Sequence, residues 1–285
     1  GSGTTFFGSH GGSFYALSSG GVREVLPEGD RSVDVAALLL SQRPYAKSAL
    51  LLGHVPLAVG LALEKLRPDL PVVWCPCDAR YGVELLKAAC AQGLQTRVRA
   101  AGETPQRFLE QQADAAFDCA VVMPPSAATL EGASWRQGAF AQSVRRVTAR
   151  TGVALFGLDC DAAALTPEAC ARLEGHLGSV RQAWPESGVF AAGAGGWWIA
   201  SQVPRLAYDA ETAATRFGLL KSGLYPAEAL RSLYDPQRAL RLSQQCPLLN
   251  PDTAVLLPGW GRAEDAMALG LADAIRCGYP DVAPG

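Results

Sequence analysis

The clearest pattern of apolar and polar positions along the chain lies between Lys47 and Ala89. Ser48-Ala49-Leu50-Leu51-Leu52 is a short unbroken run that stops at Gly53, the signature of a strand buried on both faces. Leu57, Leu61, Ala62 and Leu66 then recur at helical spacing, with Pro56 suited to the first turn. Arg67-Pro68-Asp69 stops that helix, and Pro71-Val72-Val73-Trp74-Cys75 begins a second buried strand. The three elements form a βαβ unit, whose crossover should be right-handed.

The same reading extends in both directions. Residues 4–26 alternate around Gly11-Gly12 and Gly20-Gly21, which predicts three short antiparallel strands, a meander ahead of the main domain, with His10 at its first turn. A helix is expected over residues 33–42. Beyond Cys77-Asp78 the pattern predicts a helix ending near Gly93, a strand at Thr96-Arg97-Val98-Arg99 and a short helix over 104–112. A central strand follows over 116–123, then a loop opened by Pro124-Pro125-Ser126. A helix over 138–149 should stop at Thr151-Gly152 before the strand Val153-Ala154-Leu155-Phe156-Gly157. A further helix, capped by Thr166 with Pro167 in its first turn, should reach His176-Leu177. Val189 to Ala192 and Trp197 to Ser201 read as a closing antiparallel hairpin. From Ala210 onward the pattern is helical with proline punctuation. The fold class is therefore α/β, with a Rossmann-like sheet. Its expected divisions are an N-terminal β meander (1–30), the sheet domain (31–205) and a helical C-terminal extension (206–285).

Composition narrows the function classes. With 49% apolar and 18% charged residues and a formal charge of −2, the chain carries no basic footprint for nucleic acid. Its apolar runs fall short of the roughly 18 residues a spanning helix needs. Gly1-Ser2-Gly3 reads as a cloning remnant, so the natural sequence is expected to begin earlier. The eight cysteines are scattered, and only Cys75-Pro76-Cys77 forms a close pair, a candidate for a soft metal or a redox couple. The three histidines, His10, His54 and His176, lie alone, so no metal site is assigned.

With the elements placed, the order and spacing of motifs resemble the spermidine/spermine synthase family, the polyamine aminopropyltransferases, and especially the branch fused to membrane-spanning segments. Leu17 to Val22 corresponds to the family's hairpin turn, and Leu50 to Gly60 to its strand and G-G-G-D-G loop. Val72 to Asp78 matches its second strand, Ala101-Gly102-Glu103 its G-D step, and Phe117 to Pro125 its F-D-V-I-I-x-D-x-x-D-P segment. Gly195 to Ser201 matches its late Trp-containing strand, and residues 247–253 an N-T-D-D segment. The resemblance implies a Rossmann-like sheet of the class I methyltransferase type, a homodimer and a nucleoside-sulfonium donor of the S-adenosylmethionine type, contacted at the positions of Gly53, His54, Asp78 and Glu103. It also implies a polyamine acceptor. The expected setting is cytoplasmic, as a soluble domain of a membrane-associated parent whose membrane segments would be a partner.

The sequence departs from the family where the chemistry lies. The glycine loop is Gly53-His54-Val55-Pro56-Leu57, the ribose-binding acid is replaced by Pro76, and the catalytic aspartate falls at Met123. An amine nucleophile is cationic at neutral pH, and a carboxylate that takes its proton contributes about 10²- to 10⁴-fold. Methionine cannot do this, so no catalytic residue is assigned. The expected function is a catalytically degenerate spermidine synthase-like domain with a binding, regulatory or assembly role. The alternative is an active, divergent aminopropyltransferase or methyltransferase, with Asp78 and Glu103 on the nucleoside and Tyr15, Tyr81 or Glu131 near the acceptor.

Overall fold

A computed structural model describes residues 5–18, 21–26, 30–125, 130–158, 167–192, 195–204 and 206–234. The expected Thr166 cap, the segment 247–253 and the rest of the extension beyond 234 lie outside the described residues.

The N-terminal meander consists of β1 (Thr5–His10), β2 (Ser13–Ser18) and β3 (Gly21–Leu26), paired antiparallel in that order. His10 pairs with Ser13, so only Gly11 (φ +57°) and Gly12 (φ +81°) form the turn. Two consecutive residues in the left-handed region match the right-handed twist of a two-residue hairpin, and glycine adopts that conformation without strain. The register of β2 against β3 shifts between Ala16 and Leu17, so that Ala16 pairs with Glu24 and Leu17 with Val22.

The main sheet holds seven strands: β4 (Ala49–Gly53), β5 (Val72–Pro76), β6 (Arg99–Ala100), β7 (Phe117–Met123), β8 (Thr148–Leu158), β9 (Glu186–Ala192) and β10 (Gly195–Ser201). Their order is β6-β5-β4-β7-β8-β10-β9. The first five are parallel, and β10 runs antiparallel to both neighbours. Side chains alternate between two cores. Leu51, Val121, Leu155 and Ile199 pack on one side, with α1 (Asp30–Gln42), α2 (Leu57–Leu66) and α3 (Ala79–Ala91). Leu50, Leu52, Val122, Phe156 and Trp198 pack on the other, with α4 (Pro105–Gln111), α5 (Leu130–Trp135), α6 (Gly138–Val147) and α7 (Pro167–Ala183). Burial on both faces is why the strands read as continuous apolar runs. No helix of the described residues is long and apolar enough to cross a membrane.

Several boundaries differ from the sequence expectation, each for a local reason. The strand expected at 96–99 shrinks to Arg99–Ala100, because Glu64 of α2 accepts hydrogen bonds from the Thr96 hydroxyl (2.5 Å) and the Arg97 amide (2.7 Å). Thr151-Gly152 does not end a helix. It lies inside β8, where a Cβ on residue 152 would stand 2.6 Å from the Asp118 carbonyl oxygen, beside the register shift of β7 against β8. α7 continues past Leu177 to Ala183, with Leu173, Leu177 and Val180 buried one turn apart. α5 occupies a stretch that carried no helical expectation.

Residues 206–234, the start of the expected helical C-terminal extension, share the core of α1 through α8 (Ala210–Gly218) and α9 (Ala227–Leu233). The buried Gln42 amide fixes them. It donates to the Ala207 carbonyl (3.1 Å) and the Tyr234 hydroxyl (3.0 Å) and accepts from the Ala207 amide (2.8 Å). Gln42→Ala leaves both Ala207 groups without this partner and should cost about 1–3 kcal/mol. A urea-unfolding midpoint unchanged from the parent would contradict this role.

Candidate functional site

The strand order reverses between β4 and β7, and in open α/β sheets the crevice at such a switch point, at the carboxyl ends of the strands, is where ligands bind. Three residues end adjacent strands there: Pro76 on β5, Gly53 on β4 and Met123 on β7, paired in register through Gly53. Gly53 turns with φ +83°, and a Cβ at this position would fall on the Met123 carbonyl oxygen and 2.8 Å from the ring of Trp135. The turn is tied down on both sides. The His54 amide donates to the Met123 carbonyl (2.8 Å), and the Trp74 indole donates to the Val55 carbonyl (2.8 Å).

Two residues that sequence reasoning did not single out dominate this turn. Trp135, buried at the end of α5, stacks on Phe140 with ring centroids 4.3 Å apart. Its neighbour Arg136, also buried, donates to the carbonyls of Pro125 (2.8 Å) and Gly132 (2.7 Å), which fastens α5 to the chain leaving β7. The second is Glu24 of β3, only 5% exposed. Pro56, the residue before α2, supplies no side-chain cap, and Glu24 takes that place: its Oε1 accepts from the Leu57 amide at 2.7 Å. Burial pushes the Glu24 carboxyl up to about 7, against the opposing pull of the Leu57 and Ala58 amides.

The expected binding residues divide. Gly53, His54 and Met123 meet at the switch point, with His54 exposed and Met123 half-buried. Asp78 follows the end of β5, but its carboxylate caps α3 by accepting from the Tyr81 amide (3.0 Å). Glu103 follows β6; its carbonyl accepts from the Cys75 thiol (3.5 Å), while its Oε2 is buried with no hydrogen-bond partner. Tyr15 is half-buried on β2, and Glu131 is exposed on α5.

The cysteine pair is poorly suited to redox work. Burial pushes both the Cys75 and Cys77 thiols up to about 12, reinforced by Glu103 beside Cys75 and by Glu131 beside Cys77. A nucleophilic or metal-binding cysteine needs the opposite shift, toward thiolate. Among the described residues no three His, Cys, Asp or Glu side chains group as a metal site. His176 belongs to the core: burial, and secondarily the Arg136 charge, pushes it down to about 3, and its ring meets Phe156 edge-on at 6.1 Å. His10 is exposed at the end of β1.

No protein-family model matches the chain, and neither does any curated protein sequence. Solved structures do. The chain is similar to spermidine synthase from Thermotoga maritima, with a TM-score of 0.57 at 12% identity, over 85% of this chain and 87% of that one. A probable spermidine synthase from Corynebacterium glutamicum gives a TM-score of 0.58 at 11% identity, over 81% and 90% of the two chains. A spermidine synthase solved in complex with the transition state analogue AdoDATO gives 0.57 at 11% identity, over 85% and 87%. The fold is that of the spermidine synthases, and in this chain it is an α/β sheet with a β meander before it.

The geometry around Gly53 yields a direct test. Gly53→Ala combines a positive φ with a collision against backbone and a buried ring, and should destabilise the protein by at least about 1–3 kcal/mol. Gly93→Ala is the control, because Gly93 also has positive φ (+96°) but nothing within 4 Å of an added Cβ. Equal losses in the two variants, measured by denaturant unfolding, would show that the close approach contributes nothing.

Proposed function

We propose that this chain is a catalytically degenerate aminopropyltransferase-fold module, retained for binding, regulation or assembly rather than for turnover. The observation that carries the reading is the state of the switch-point turn: Trp135 lies against Gly53 and Glu24 caps the start of α2, while Met123 ends the strand where proton transfer would need a carboxylate. A sulfonium nucleoside fits these residues poorly. The Trp135 indole against Gly53 and the Glu24 carboxyl at the Leu57 amide are both buried, and displacing such groups would cost free energy before any contact was gained. Asp78 is engaged in capping and Met123 is followed by Pro124 and Pro125, which leaves Glu131, exposed on α5 and beside the Cys77 thiol, as the acid on the expected acceptor side.

One observation favours the alternative, an active divergent aminopropyltransferase or methyltransferase that holds an S-adenosylmethionine-type nucleoside through Gly53, His54, Asp78 and Glu103. The buried, unpartnered Glu103 Oε2 could be satisfied by a ligand hydroxyl. Thermal unfolding with S-adenosylmethionine, its decarboxylated form and methylthioadenosine separates the two readings. A bound ligand at 100 times its Kd stabilises by about 2.7 kcal/mol. The absence of a saturable shift with all three would rule out the alternative, and degeneracy predicts no aminopropylated product from a polyamine. Turnover would refute it, and a shift without turnover would support the binding role.

The assembly part of the proposal rests on the outer face of the meander. Phe6 and Leu17 are cross-strand neighbours, 66% and 42% exposed, and Val25 on β3 is 40% exposed. Exposed apolar residues gathered on one small sheet mark an interaction surface, and a second copy of the chain is the proposed occupant. Light scattering should give a dimer mass, and Phe6→Ser with Leu17→Ser should give a folded monomer. A parent chain that is already monomeric at micromolar concentration would end this part.

A further inference from the structure

Glu24 is the only buried acidic side chain among the described residues, and it bridges two parts of the fold. It stands on β3 of the meander, and its Oε1 accepts from the Leu57 amide, the first of α2, at 2.7 Å. Its other oxygen, Oε2, is buried with no hydrogen-bond partner. An ionised carboxylate in that seat has the start of a helix in its favour and an unsolvated oxygen against it.

We propose that Glu24 is a proton-operated latch: in its neutral form it holds the meander against the start of α2 and closes the switch-point turn, and on ionising it leaves the apolar seat and loosens that contact. The rest of the interface is compatible with such a hinge. The meander also rests on Phe14, Ala16 and Leu26 in the core and on Phe7 against Tyr81 of α3, ring centroids 6.4 Å apart, so releasing Glu24 loosens one attachment without dissolving the whole. β3 packs on β2 and α2. The titratable groups on those elements are Tyr15 on β2 and Glu64 and Lys65 in the last turn of α2, with His54 in the turn before it. None of these charges sets the state of Glu24; burial and the two backbone amides do.

The sign follows from linkage. The closed form binds the proton more tightly, near pH 7, than a solvated glutamate does at about 4.5. Closure is therefore favoured in full below about pH 4.5 and loses that advantage as pH rises through about 7. The shift corresponds to a change in the closed-to-open ratio on the order of 10²-fold. The inference goes beyond the proposed function, since it holds whether or not the crevice takes a nucleoside.

Hydrogen exchange of the full chain at pH 5 and pH 8.5, corrected for intrinsic rates, tests it. Protection over residues 54–60 should fall by roughly 10²-fold at the higher pH, while the central strand 117–123 keeps its protection. Glu24→Gln, neutral at both values, should remove the difference. Equal protection of 54–60 at the two pH values in the parent, or an undiminished difference in Glu24→Gln, would overturn the latch. Should that variant fail to fold, a carbon-detected titration of Glu24 in the parent decides: a midpoint near 7 that moves with the Leu57 amide signal supports it, and a midpoint near 4.5 refutes it.

Discussion

The absence of space above residue 53 is the constraint from which the candidate site follows. A left-handed turn brings the end of β4 so close to the Met123 carbonyl and to the Trp135 ring that only hydrogen fits as a side chain. That approach lets the His54 amide extend the pairing of β4 with β7 one residue beyond the strand. It also fixes where α5 must lie, since the ring at its end is pressed between Gly53 and Phe140, and the Arg136 guanidinium anchors the helix to the Pro125 carbonyl. The turn that would cradle a ligand in an open crevice is here a packed joint.

How much of this was legible in the sequence depends on how far each feature is local. β4, β5 and β7 announce themselves because strands covered on both faces need apolar residues at every position, which leaves little ambiguity over five to seven residues. Gly53 was visible as the stop of such a run. α5 was not, because a single short turn of helix after two prolines has neither a cap nor a repeat long enough to show periodicity, and its reason for existing is the contact of Trp135 across the chain. The end of α7 was missed because Gly175 and Gly178 interrupt a pattern that Val180 then resumes.

Glu24 is the most instructive omission. In isolation Val22-Arg23-Glu24-Val25-Leu26 suggests that the charged pair faces water. The pairing with β2 decides otherwise: Glu24 stands opposite buried Ala16 and, two residues from buried Leu26, shares its face, while Val25 stands opposite Tyr15 on the outer face. Which face of a short edge strand is covered depends on what packs against it, and nothing in the composition of residues 22–26 reports that α2 covers the face of Glu24. The partner of Glu24 lies 33 positions away in a turn whose own sequence lacks a cap. Fold similarity at 11–12% identity has the same origin: the alternation of two cores constrains only polarity and volume, whereas the polar chemistry at the strand ends is free to change.

The buried thiols carry a consequence for handling the protein. Cys75 and Cys119 lie on the strands flanking β4, both buried, and desolvation raises both above the ordinary range for a thiol. Alkylating reagents attack thiolate, so these two sulfurs are shielded twice over, by geometry and by protonation, for as long as the sheet is intact. Cys90, by contrast, is exposed on α3. The slow incorporation of label at positions 75 and 119 therefore keeps time on the opening of the central strands, separately from any loosening of the meander in front of them.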